Sequence, residues 1–142
     1  MKWHKGRIII RTDAKGMVPF TDRIEDHIQR WGVKEGICHL YIQHTSASLT
    51  INESYDPTAK QDLEMFMERV APEGESWHRH TLEGKDDSPS HMRAMLTATS
   101  LSIPIDEGKL NLGRWQGVYL FEHRASGSRR EILIRCLDVA EG

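Results

Sequence analysis

The sequence predicts a single α+β domain, a mostly antiparallel β-sheet packed with two or three helices. Three observations carry that prediction. Short apolar or alternating stretches of strand character are interspersed with stretches whose apolar residues recur every three or four positions. The order along the chain reads β-α-β-β-α-α-β-β-β, with strands grouped instead of strictly alternating with helices. The chain has 142 residues, the length of one domain and enough to bury a core without covalent staples. With no repeat, low-complexity tract or linker, residues 1–142 are expected to form one unit.

Each element has its own signal. Residues 5–11, "KGRIIIR", predict a strand, and "DAKG" a turn. In "TDRIEDHIQRWG", Ile24, Ile28 and Trp31 predict a helix capped by Thr21 or Asp22. Glu25 completes a capping box with Asp22, and Gly32 ends the helix. "GICHLYIQH" predicts a strand with Cys38, Leu40 and Ile42 on one face, a break at Thr45–Ser46, and extended chain again in "SLTIN". Asp56 and Pro57 open a long helix with an apolar stripe at Ala59, Leu63, Phe66, Met67 and Val70, stopped by Pro72. Residues 73–90 have no period of their own, the kind of loop that often carries function. "SPSHMRAMLTA" restarts a helix with Ser88 as cap and Pro89 in its first turn, "TSLSIPI" is a strand and "DEGK" a turn. "WQGVYLFEH" and "REILIRCLDV" are expected to pair as a hairpin through "RASGSR".

Bulk properties narrow the function. A net charge of -2 gives no basic field, so nucleic acid is not an expected partner. No apolar run reaches the roughly 18 residues of a membrane span, and "MKWHKGRIII" lacks a signal-peptide core. Cys38 and Cys136 both lie in apolar strand-like runs and are expected to be buried thiols in a reducing cytoplasm.

Four stretches break the binary pattern. "HTSASLTINE", His44 to Glu53, puts a histidine and the hydroxyls of Thr45, Ser46, Ser48 and Thr50 next to Asn52 and Glu53. A turn at Thr45–Ser46 offers backbone amides to an anion; the alternative is a wet edge strand. The loop carries His78 and His80, with His91 just inside the next helix, so His80, His91 and His44 are candidate zinc ligands. For His78 a solvated loop role is the simpler expectation. Asp86–Asp87 beside Glu83 supply the hard oxygen that Mg²⁺ uses together with substrate phosphate, although "DDSP" is also ordinary turn and cap chemistry. In "GKLNLGRWQGVYLFEHR", Gly113 and Gly117 bracket Trp115–Gln116, and Gln116 and Glu122 fall on one strand face. Arg129 and Arg130 could answer such buried polar ends as phosphate clamp or salt bridge, and packing is the simpler role for Trp115.

Taken in order, these stretches resemble the YjbQ-like family over nearly the whole chain. The matching pieces are "FTD" at 20–22, "QHTSASLTINE" at 43–53, "DPTAKQDLE" at 56–64, His80, "EGKDDSPSH" at 83–91, "SLSIPIDEGKL" at 100–110, "LGRWQGVYLFEHR" at 112–124 and "SRREI" at 128–132. The resemblance implies a compact α+β unit assembling as a trimer, a divalent metal (zinc or magnesium) at the histidine cluster, and a secondary thiamine-phosphate synthase activity. It marks His44, Thr45, Ser46, Asn52, Glu53, Asp62, His80, Glu83, Asp86, Asp87, His91, Gly113, Trp115, Gln116, Glu122 and Arg130. Ala98 and Arg114 depart from the family's glycine and small hydroxyl residue; Arg114, beside the implied site, bears on which anion is accepted.

Such a reaction joins a pyrimidine-methyl diphosphate to a thiazole phosphate with loss of diphosphate. Asp86 or Asp87 would hold a metal on the diphosphate. Arg130 and Arg114 would contact phosphate, Thr45, Ser46 and nearby amides would cradle the second phosphate, and His80 and His91 would bind metal or protonate the leaving group. Two other readings stay open: a metal-dependent hydrolase with Glu53 or Glu122 as base, and a non-catalytic protein that binds a phosphorylated metabolite or a metal.

Overall fold

The computed structural model describes residues 1–141. Eight strands and three helices follow the order β1 (Lys2–Arg11), β2 (Gly16–Pro19), α1 (Thr21–Trp31), β3 (Gly36–Ile42), β4 (Ala47–Glu53), α2 (Pro57–Val70), α3 (Asp87–Leu96), β5 (Ser100–Asp106), β6 (Lys109–Leu110), β7 (Gln116–Glu122) and β8 (Arg129–Asp138). They form two antiparallel sheets. One has five strands in the order β1-β8-β3-β5-β6, the other three in the order β2-β7-β4. The α+β class and the antiparallel pairing agree with the sequence.

The sheets face each other across the main core. Ile8, Ile10, Leu40, Ile42, Ile103, Ile132 and Ile134 of the larger sheet meet Leu49, Val118 and Leu120 of the smaller. Strand alternation then sends Tyr119 and Phe121 to the far side of the smaller sheet, against Leu63 and Met67 of α2. β7 is thus covered on both faces.

That double burial overturns the expected hairpin. β7 pairs with β2 and β4, whereas β8 pairs with β1 and β3. The segment between them carries the chain from one layer to the other, with Gly127 at positive φ packed on the backbone of Thr12 and Asp13. β2 has no counterpart in the sequence expectation, because four residues before a helix give too short an alternation to read. It pairs with Tyr119 to Glu122 of β7.

Caps differ as well. The residue before α1 is Phe20, and no side chain caps it. Thr21 Oγ1 instead accepts from the Val118 amide at 2.9 Å, and Glu25 accepts from the Leu110 amide at 3.2 Å. Both side chains tie α1 to its neighbours. Asp56 does cap α2, accepting from the Thr58 amide at 2.9 Å. Of the α2 stripe only Met67 is fully buried, while Phe66 and Val70 stay exposed. α3 starts at Asp87, so Ser88 is inside it and caps nothing. "DEGK" is the turn of a tight β5–β6 hairpin. Cys38 and Cys136 are free, buried and directly opposite each other on β3 and β8. No described helix is long and apolar enough to cross a membrane.

Candidate functional site

The chain leaves the larger sheet after Ile42 and enters the smaller at Ala47, turning at Thr45–Ser46 where the sequence predicts a break. α3 runs beside this corner, and the 73–86 loop folds back over the start of α3. An open cleft of about 670 Å³ lies there, lined by His44, Thr45, His80 and His91, with Ala94 and Met95 as an apolar wall.

At one end of the cleft stands a triad of ligand-type atoms. His80 Nε2 is 2.7 Å and His91 Nε2 3.3 Å from Asp87 Oδ2. Asp87 and His91 are four apart on α3, hence on one helix face, and the loop brings His80 to them. His91 Nδ1 donates to the Thr45 carbonyl at 2.8 Å. A carbonyl only accepts, so that bond puts the proton of a neutral ring on Nδ1. Nε2 then turns a lone pair toward a carboxylate oxygen. His80 Nε2, at 2.7 Å, can donate a proton to that oxygen, or a metal ion can stand among the three atoms.

The set is of a kind that could hold a divalent metal. Two atoms each about 2.0–2.1 Å from a tetrahedral Zn²⁺ stand about 3.3 Å apart, the separation found between His91 Nε2 and Asp87 Oδ2; His80 Nε2, at 2.7 Å from that oxygen, would have to move outward by about half an ångström. All three ligand atoms lie within 4.8 Å of one another. The Thr45 carbonyl is the outer partner that metal-binding imidazoles commonly use to fix their tautomer.

Behind the triad runs a chain of buried polar contacts. Glu122, fully buried, accepts from Arg130 through Nε at 2.8 Å and again through Nη2, and from the Arg124 amide at 3.0 Å. Thr12 adds a hydroxyl donor. Arg130 also donates to the Ser46 carbonyl at 3.2 Å. Arg124 Nε reaches Asp86 at 3.0 Å, its Nη1 reaches Asp87 Oδ1 at 2.8 Å, and its Nη2 reaches the Glu83 carbonyl at 2.9 Å. The Thr45–Ser46 corner is thereby held twice, through His91 and through Arg130. Burial pushes the Glu122 carboxyl up, but the bonds from Arg130, Thr12 and the Arg124 amide outweigh it, and the net shift is down.

Several residues take roles other than those the sequence suggested. His44 lines the cleft, yet its Nε2 accepts the Glu131 amide at 2.9 Å, so that lone pair is not free for a metal. Burial and the Arg130 charge lower its pKa. Asp86 is bound by Arg124 and by the Ala125 amide, at 2.9 Å, and is no ligand of the triad. Arg130 answers Glu122, the salt-bridge alternative, and Glu122, sealed beneath the corner, is not placed as a base. Ser48 is buried between His123 Nε2, at 2.8 Å, and the Thr97 hydroxyl.

A second group lies at the other end of β4 and β7. Glu53 pairs with Gln116, and Ala47 with Glu122, across the same two strands. Six residues of strand are about 20 Å, so Glu53 and Gln116 do not reach the triad within one chain. Glu53 accepts from the Asp56 amide at 3.0 Å, Asn52 Oδ1 from the Glu53 amide at 2.8 Å, and Gln116 Oε1 from the Gly113 amide at 2.7 Å. They shape the entrance to α2 and the turn before β7. Trp115 packs edge-on against Tyr55 at 4.8 Å, with the Arg114 guanidinium 4.6 Å from the Trp115 ring centre. Asp62 is exposed on α2, away from the cleft.

Sequence reasoning missed Arg124, Ala94 and Met95. For Arg124 a signal existed: it closes the polar stretch "FEHR", two residues after a buried glutamate.

Comparison with known proteins shows the family and the fold. The profile described as UPF0047 protein YjbQ-like matches residues 6–138. The chain belongs to the YjbQ family. A UPF0047 protein of Synechocystis sp. is 44% identical over 131 residues, covering 92% of this chain and 89% of its own. The UPF0047 protein YjbQ of Escherichia coli O157:H7 is 39% identical over 132 residues, covering 92% and 95%. Among solved structures, a conserved hypothetical protein from Thermus thermophilus superposes with TM-score 0.84 at 34% identity, over 93% of this chain and 99% of that one. A YbjQ-like protein of unknown function from Sulfolobus solfataricus P2 superposes with TM-score 0.86 at 26% identity, over 95% and 96%. The YjbQ fold of this chain is therefore that of its solved relatives.

Proposed function

We propose that this YjbQ-family chain is a metal-dependent enzyme acting on a small phosphorylated molecule, with one divalent cation held by His80, Asp87 and His91. The observation that carries the reading is the lone pair of His91 Nε2 facing Asp87 Oδ2 at 3.3 Å, while Nδ1 is fixed by the Thr45 carbonyl. Two imidazoles and one carboxylate suit a zinc-type ion better than magnesium, which favours oxygen ligands. When bound, such an ion acts as a Lewis acid toward phosphate oxygen.

The chain's own groups supply the rest. His91 is oriented by Thr45, and Asp87 by Arg124. The apolar wall of Ala94 and Met95 excludes water from one side of a bound molecule. The Thr45 hydroxyl and the half-buried Ser88 stand at the same opening as hydrogen-bonding groups. Both arginines near the cleft, Arg124 and Arg130, are already engaged by carboxylates. The charge of an incoming phosphate thus falls chiefly to the cation.

Within that class, the family resemblance favours the thiamine-phosphate synthase-type transfer, with the chain assembled as a trimer. A second reading has its own support: His80 Nε2 at 2.7 Å from buried Asp87 also suits a metal-free general base. One experiment separates them. Untagged protein is analysed for metal, then assayed with both thiamine precursors, with and without chelator. About one bound zinc-type ion per chain, and turnover that chelator and His91→Ala both abolish, support the proposal. Turnover that survives complete metal removal overturns it in favour of the dyad. Metal binding without turnover leaves a binding protein.

A further inference from the structure

We infer that Arg124 is the positioning residue of the cation site, and that by engaging one oxygen of Asp87 it makes this carboxylate a single-oxygen ligand and so sets which cations the site accepts. The inference rests on the metal reading above and extends it to selectivity.

The guanidinium is spread over three acceptors. Nη1 is 2.8 Å from Asp87 Oδ1, Nε is 3.0 Å from Asp86 Oδ2, and Nη2 is 2.9 Å from the Glu83 carbonyl. An arginine that merely paired with Asp87 would take both oxygens of that carboxylate in a fork. Here only Oδ1 is taken, and Oδ2 turns to the imidazoles at 2.7 and 3.3 Å. Asp87 has only 4% of its side chain exposed, so its rotamer has little freedom to reverse the two oxygens. The anchor of Arg124 is itself fixed, since its amide donates to buried Glu122 at 3.0 Å. The arginine thereby joins the strand end of the buried Glu122–Arg130 pair to the first turn of α3.

The consequence is chemical. A carboxylate with one oxygen occupied by a guanidinium offers the other alone, and its negative charge is partly spent. Ca²⁺ and Mg²⁺ depend on several hard, charged oxygens. A zinc-type ion is satisfied by two imidazoles and one carboxylate oxygen. Arg124 therefore acts against the hard cations by removing an oxygen they would use. Lysine does not substitute, because a point ammonium cannot bridge Asp86, Asp87 and a carbonyl in one plane.

Zn²⁺ and Mg²⁺ are titrated calorimetrically into metal-free wild type, Arg124→Gln and Arg124→Lys, each first checked for fold by circular dichroism. Wild type should bind about one Zn²⁺ and prefer it strongly over Mg²⁺. Both variants should lose about 10–100-fold in Zn²⁺ affinity, the usual cost of losing an outer partner, and their preference for Zn²⁺ over Mg²⁺ should narrow. X-ray absorption on Zn²⁺-loaded wild type reads the carboxylate mode without any substitution, and should show single-oxygen binding. A chelating carboxylate there overturns the inference, even if the variants fail to fold. Unchanged affinity and preference in the variants overturn it too, while leaving the metal reading intact. Wild type that binds no cation removes both.

Discussion

Replacing Glu122 with Gln tests the buried network on which the cleft rests. Glu122 is 0% and Arg130 3% exposed, so neither charge is relieved by water. The substitution preserves shape but deletes the charge, and it sets an amide NH₂ where one carboxylate oxygen accepted donors. Arg130 is left as an uncompensated buried cation, and the donors from Thr12 and the Arg124 amide compete for a single oxygen. Breaking one side of a buried ion pair costs about 3–5 kcal/mol, a large share of the roughly 5–15 kcal/mol that holds a domain folded. At about 2–4 °C per kcal/mol for a chain of this size, the melting point should fall by about 6–20 °C. Urea titration should show a lower midpoint with an unchanged slope. The loss should also shrink in acid. The Glu122 carboxyl is held below the ordinary glutamate range, so its contribution is complete above that range and disappears as pH falls through the depressed value. Removing both charges, in Glu122→Leu with Arg130→Met, should restore part of the loss but not all of it, because the Ser46 carbonyl and the Arg124 amide lose partners. A loss under about 1 kcal/mol in Glu122→Gln would refute the reasoning, since it places the pair at the low worth of an exposed one.

Zn²⁺ at about 100 times its dissociation constant should add about 2.7 kcal/mol to wild type in thermal melts, and nothing to Asp87→Asn or His91→Ala. His123, 1% exposed, is lowered from 6.5 to about 3 by burial and the nearby Arg93, with Arg130 adding to it. The folded chain refuses a proton that the unfolded chain accepts, so stability should fall by about 1.4 kcal/mol per pH unit as pH drops below 6.5 toward 3. His123→Phe should flatten that slope in acid unfolding curves. Gly36→Ala should destabilise by about 1–3 kcal/mol or more, read by chemical denaturation, because a Cβ there overlaps the Leu137 carbonyl on β8. Trp115→Ala, at the far end of β7, should leave Zn²⁺ affinity within about twofold of wild type; a larger change would mean that the two ends of the strand are coupled.

The parts of the site that local chemistry dictates are legible in the sequence. Thr45–Ser46 reads as a break, Asp56–Pro57 as a helix start, and His80 and His91 as ligand types flanking a helix entrance. Partner choice is not legible where it depends on helix phase. With Ser88 as the cap and Pro89 in the first turn, Asp86 and Asp87 are equivalent loop acids. With α3 begun at Asp87, that residue and His91 share a face four apart, and Asp86 falls to Arg124. The expected hairpin fails for a related reason. β7 and β8 are both apolar on their inward faces, and adjacency in sequence favours pairing. What separates them is Tyr119 and Phe121, which need the helical layer on the outer side of β7. Arg130 is ambiguous as sequence, and burial decides it: a guanidinium with 3% exposure must stand by its carboxylate.

The placement of charge constrains the chemistry more tightly than the residue list does. The stretch from His44 to Glu53 reads as one wall rich in oxygen, yet folding divides it. Its first three residues turn at the cleft, Ser48 is sealed beneath, and Asn52 and Glu53 serve the start of α2 about 20 Å away. The arginines that a phosphate reader would use are likewise spent on Glu122, Asp86 and Asp87. These engagements are costly to undo, because each would strand a carboxylate with little access to water. Affinity for an anion in this cleft would therefore depend on what occupies the space between His80, Asp87 and His91. A proton there only neutralises the Asp87 carboxylate, whereas a divalent metal ion would leave net positive charge for an anion. Phosphate binding measured before and after treatment with chelator thus distinguishes the two ways of resolving the lone pair that His91 turns toward Asp87: loss on chelation for the metal, and persistence for the proton.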